Sequence, residues 1–193
     1  MLRTYLILVI ITWLVTSSVS AHVTAVGHTA KRNPEHLLSG IDVSGTIPQV
    51  IAKYGSPDRV VNVELEHVPE GSGERNYVWQ KGTTQLSVTT DHYIDKNGKE
   101  IESTTAIEVL GDTPVDDMGK TGAGLSLGDT QERANQIYGA DFHKSQIYKT
   151  HFRGDYFPVQ ALEWENGARS TRLCLAFDKT GRINFMTLVV LED

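Results

Sequence analysis

Apolar and polar positions change period several times along the chain, and each change marks an element. Tyr5 to Val15 is almost continuously apolar. From residue 40 the pattern is finer. Ile41 and Val43 alternate with polar neighbours, after which Val50, Ile51 and Tyr54 take the spacing of one side of a short helix. Thr46 with Gln49 three residues later makes a capping box at its start, and Pro48 is tolerated in a first turn whose N–H groups have no helical partner. Gly55 stops the helix and Pro57 blocks its continuation. A second helix follows the same plan: Asp129 or Thr130 caps it, Glu132 suits its first turn, Ala134, Ile137 and Tyr138 form its apolar side, and Gly139 ends it. After each helix the period becomes two. Strands are predicted over 60–65, 76–80, 85–90 and 104–110, and again over 146–153, 157–164, 170–177 and 183–191. Asp95-Lys96-Asn97-Gly98 and Asp178-Lys179-Thr180-Gly181 read as hairpin turns, with Asp opening each turn and Gly closing it.

These parallels reflect an internal repeat. At a shift of 84 residues, Gly40-Ile41-Asp42-Val43-Ser44-Gly45-Thr46 lies over Gly124-Leu125-Ser126-Leu127-Gly128-Asp129-Thr130, and Tyr54-Gly55 lies over Tyr138-Gly139. Trp79-Gln80-Lys81-Gly82 matches Trp164-Glu165-Asn166-Gly167 at 85, and the two hairpin turns match at 83. A repeat of this kind dictates the fold expectation: α+β, two tandem units, each a short helical segment followed by a four-stranded antiparallel meander. The predicted organisation is a signal peptide (1–21), an N-terminal arm without clear period (22–39), unit one (40–111), a Gly/Pro-containing linker (112–123) and unit two (124–193).

The first segment carries one charge, Arg3, then the apolar run, then small residues up to Ala21, which is the form of a secretory signal peptide. The apolar run is short of the roughly 20 residues that span a bilayer. Cleavage after Ala21 predicts a periplasmic or secreted protein with no membrane anchor. Composition narrows the function classes. With 18 Lys and Arg against 24 Asp and Glu the net charge is −6, and no Lys/Arg-rich run supplies the footprint of a nucleic-acid binder. Losing Arg3 makes the mature chain more acidic still, which suits a basic protein partner. Cys174 is the only cysteine, so no intramolecular disulfide can form; it reads as a small buried thiol in an apolar strand.

Catalytic motifs are weak. Gly119-Lys120-Thr121 lacks both the earlier Gly and the following helix of a phosphate loop, Glu163 and Glu165 read as solvated strand charges, and no nucleophile accompanies Asp91-His92. The expectation is a protein that is not an enzyme and needs no cofactor. The alternative is an envelope small-ligand or metal-binding protein: after cleavage, the α-amine and imidazole of His22 can chelate copper together, with His28 adding a ligand. The aromatic residues of the predicted strands point instead to a binding surface. A helix covers only one face of a sheet, and Trp and Tyr are frequent binding anchors. Tyr77, Trp79, His92, Tyr93, Phe152, Tyr156 and Trp164 are the candidate partner-binding residues. For Trp79 and Trp164, recurrence in both units equally fits a core anchor in each.

The pattern apolar-x-apolar-Gly-x-Thr, a nine-residue helical run to apolar-Gly-x-Pro, and a meander with a Trp and a late Asp-x-x-Gly hairpin resembles the repeat of the secreted β-lactamase-inhibitor proteins and of the small outer-membrane-assembly lipoproteins of the SmpA/OmlA type. The resemblance covers most of residues 40–193. Two such repeats in tandem resemble the inhibitor arrangement, which implies a concave sheet surface presented to a protein partner and a non-catalytic, inhibitor-like binding module.

Overall fold

The computed structural model describes residues 35–63, 72–139, 143–149, 156–164 and 170–191, all within the unit Arg32–Asp193. The expected signal segment, His22, His28 and Phe152 lie outside them. Strands β1 (Leu37–Leu38) and β2 (Ile41–Asp42) form a small antiparallel pair. Helix α1 (Ile47–Tyr54) follows, with Thr46 N–H donating to Gln49 Oε1 at 2.9 Å as a capping box requires. Then come β3 (Arg59–Val63), β4 (Gly73–Lys81), β5 (Thr84–Ile94) and β6 (Glu100–Leu110). Helix α2 (Gln131–Tyr138) starts on Thr130, whose Oγ1 accepts from Arg133 N–H. It leads into β7 (His143–Lys149), β8 (Tyr156–Trp164), β9 (Ser170–Phe177) and β10 (Ile183–Leu191). Both helices end on glycines, Gly55 and Gly139, at φ 82° and 87° with extended ψ, a region open essentially only to glycine.

The eight longer strands make one antiparallel sheet in the order β3-β4-β5-β6-β10-β9-β8-β7. This corrects the fold expectation. The protein is mostly β, with one continuous eight-stranded sheet beside the small β1–β2 pair and two helices of eight residues each among the described residues, and not an α+β pair of repeat units each with its own meander. The join is made by β6 and β10, where Ala106 to Leu110 pair with Val189 to Phe185. Two separate meanders would each leave an apolar edge strand unpaired here, and pairing those edges satisfies both rows of backbone groups.

Alternation along the strands gives the sheet two faces. One face carries Trp79, Leu86, Ile107, Leu188 and Leu173, packed against Ile47 and Val50 of α1, Ala134 and Tyr138 of α2, and Leu38, Met118, Leu125 and Leu127. This one core crosses the β6–β10 join. The opposite face holds a smaller cluster, Val159, Ala161, Cys174, Ala176 and Phe185, beside buried Ser87, Thr89, Glu108 and Thr187.

Two segments expected to be loose are tied into the body. Glu35, assigned by sequence to the N-terminal arm, is buried, and its carboxylate accepts from four donors. His36 and Leu37 N–H reach Oε1, each at 3.1 Å, and Ala123 N–H (3.1 Å) and Tyr138 O–H (2.6 Å) reach Oε2. In the expected linker Met118 is buried, and Gly119 runs so close to Leu127 that an added Cβ would fall 2.6 Å from Leu127 Cδ1. Lys120 and Thr121 thus belong to a packed loop: Thr121 Oγ1 lies 2.7 Å from the Tyr138 hydroxyl and accepts from Leu125 N–H.

Candidate functional site

Strand β4 places Arg75, Tyr77 and Trp79 on one face, two residues apart. Trp79 is 2% exposed, and its indole Nε1 donates to Gly55 O at 2.9 Å, just past the end of α1. Tyr77 stacks on it with ring centroids 6.4 Å apart and is 8% exposed. The two aromatic side chains therefore pack into the helix-covered core and offer no free face to a partner. The Tyr77 hydroxyl, however, reaches the margin of that cover.

At the margin a polar network begins. Tyr77 O–H donates to Glu102 Oε1 at 2.8 Å, and Thr90 O–H donates to the same oxygen at 2.7 Å. Arg75 spans the rest: Nε donates to Asn62 Oδ1 at 3.1 Å, Nη2 to Glu100 Oε1 at 3.0 Å, and Nη1 stands 3.6 Å from Glu102 Oε1. Burial, with the Glu102 carboxylate beside it, pushes the Tyr77 phenol above its ordinary value of 10.0, and its bond to Tyr77 together with Glu100 raises the Arg75 guanidinium. The residues come from four neighbouring strands, β3 to β6.

Past Thr90 and Thr104 the strands leave the cover of α1, and burial falls away along residues 91–103. His92 is partly buried there in register with Glu102, and its Nδ1 makes no hydrogen bond. Tyr93 and Ile94 end β5 at 49% and 53% exposure. On the outermost strand, Val60 and Val61 are 46% and 39% exposed. Among the described residues, Tyr93 and Ile94 are thus the exposed large apolar side chains beyond this cover; Val60 and Val61 lie level with Tyr77 and Asn76 on the edge strand, and Ile51 is on α1.

Three of the predicted residues, Tyr77, His92 and Tyr93, fall at this end, and Trp79 lies in the adjoining core. Tyr156 and Trp164 have their backbones in β8, across from Lys149 and Thr171, and their side chains lie outside the described structure. β8 is separated from β5 in the sheet by β6, β10 and β9. Sequence reasoning missed Asn62, Arg75, Thr90, Glu100 and Glu102. Their signal was available in retrospect: Arg75 and Tyr77, and Glu100 and Glu102, stand two apart, so each pair shares a face.

The remaining candidates are accounted for locally. Asp91 and His92 are adjacent on a strand and point to opposite faces, so they form no dyad. Glu163 pairs with Arg172 Nε at 2.7 Å, while Glu165 lies outside the described residues. Cys174 is buried, and burial pushes its thiol up to about 12. Among the described residues no group of three His, Cys, Asp or Glu side chains is placed to hold a metal. A cleft of about 250 Å³ lies between the β1–β2 pair and α1, bounded by Leu37, Ile41, Val50 and Lys53. Comparison with protein-family models, with curated proteins and with solved structures gives no match for this chain.

Proposed function

We propose that this protein is an exported, non-catalytic, inhibitor-like module that binds a protein partner through the uncovered end of β3 to β6. Ile94, in register with Glu100, is the apolar anchor on the face of the Arg75–Glu100–Glu102 network, and Tyr93 is the anchor on the opposite face of the same tip. The observation that carries the reading is the exposure of Tyr93 and Ile94 at the one end where β5 outruns α1. Large exposed apolar groups rimmed by hydrogen-bonded charge mark interaction sites. The exposed Glu100 carboxylate and the net charge of −6 favour a basic partner.

Affinity capture tests this. Mature protein and a Tyr93→Ala, Ile94→Ala double variant are immobilised side by side against an extract of the source envelope, and the bound proteins are quantified. The variant is expected to keep its fold, since both side chains are exposed, and to weaken capture of a specific partner by about 10-fold or more, the effect of losing central anchors. Equal capture by both would refute the site.

A further inference from the structure

The two edges of the sheet are built differently. β7, at one edge, carries a register shift between Ser145 and Ile147 and has Lys144 and Lys149 in its sequence, devices that discourage another strand from pairing. β3, at the other edge, carries none of them. Its five residues, Arg59-Val60-Val61-Asn62-Val63, pair with β4 without a bulge, contain no proline or lysine, and leave a valine exposed on each face. No described residue pairs with its outer side.

We propose that β3 is a self-association edge, pairing antiparallel with β3 of a second copy of this chain about a two-fold axis at Val61. In that register Val61 faces its own counterpart, Val60 faces Asn62 and Arg59 faces Val63, so the only charge in the strand never meets its like. The two Arg59 residues stand at opposite ends, about 13 Å apart by strand rise, farther than the roughly 8 Å over which exposed charges interact at physiological salt. The two-fold arrangement also closes. Pairing of β3 with β7 would instead add copies without end, and the shift and lysines of β7 oppose it. A five-residue edge buries far less than the roughly 1,200 Å² of a stable interface, so the dimer is weak and concentration-dependent. It does not rest on the partner surface at Tyr93 and Ile94.

Sedimentation equilibrium from about 10 µM to about 1 mM, a range suited to weak self-association, tests it on three proteins: wild type, Val61→Lys and Ile51→Lys. Ile51 is also an exposed apolar residue but lies on α1. Wild type and Ile51→Lys are expected to shift from monomer to dimer with rising concentration, and Val61→Lys to remain monomeric with an unchanged circular dichroism spectrum. Hydrogen exchange on the wild type supplies the second readout: amides of residues 59–63 slow several-fold at the high end of the range, and those of β7 do not. A wild type that stays monomeric overturns the proposal, as does a Val61→Lys that dimerises normally, an Ile51→Lys that loses the dimer, or β3 exchange independent of concentration.

Discussion

Glu35 shows how one side chain closes the fold: its four donors come from the chain around it, from the loop at Ala123 and from the end of α2. A buried carboxylate is tolerated when its lone pairs are used in this way. Burial, with Glu35 alongside, raises the Tyr138 phenol well above its ordinary value, so the hydroxyl remains a donor. Tyr138→Phe is therefore expected to cost about 1–3 kcal/mol, because it strips a donor from a buried charged acceptor; urea unfolding checks it. The hairpin aspartates act at low pH. Asp95 Oδ1 accepts from Lys99 and Asn97 N–H, and Asp178 Oδ1 accepts from Arg182 and Thr180 N–H, which holds both carboxyls below their ordinary value of 3.8. Because the folded values are depressed, this stabilisation is complete above the unfolded value and is lost as pH falls through the folded ones. The double variant Asp95→Asn, Asp178→Asn is expected to show a shallower loss of thermal stability than wild type between pH 4 and pH 2, and an unchanged slope would refute the assignment.

Among the elements, the join of β6 to β10 decides what kind of protein this is. Ile107 and Leu188 face each other across it, both fully buried. Each change to Ala is expected to cost about 2–5 kcal/mol, and the pair to depart from additivity by at least about 0.5 kcal/mol, because the two side chains share one packing site. Additive losses in the double-mutant cycle would mean that the two halves pack independently. The join was illegible in sequence for a physical reason. Period two reports that a strand has an inside and an outside, so β9 and β10 could be placed to the residue, but nothing in it says which strand lies beyond the last one. Backbone pairing of strands some 80 residues apart in sequence leaves no local trace. Helix ends were legible because caps are local: Thr46, Thr130, Gly55 and Gly139 all take the expected positions. The site was half legible. Aromatic type picked out Tyr77, His92 and Tyr93, but type alone could not separate Trp79 in the core from Tyr93 in solvent, since that depends on where α1 ends over β4.

Across the whole molecule, one helix-covered core runs under both halves of the sheet, and the strands β3 to β6 extend past that cover at one end. In the proposed reading the covered part is the scaffold, and the uncovered end, with its exposed apolar tip beside an arginine–carboxylate network, is the working surface. Rigid strands hold such a surface without an ordering cost on binding, which favours recognition through preformed contacts. The most direct measurement of this division of labour is site-specific photo-crosslinking in the native envelope, with the reactive side chain placed at Tyr93 in one protein and at Glu132, exposed on α2, in another. The account predicts a discrete adduct of the same partner from position 93, competed away by excess unlabelled protein, and none from position 132. Adducts from 132 alone, or the same unsaturable smear from both positions, would contradict it.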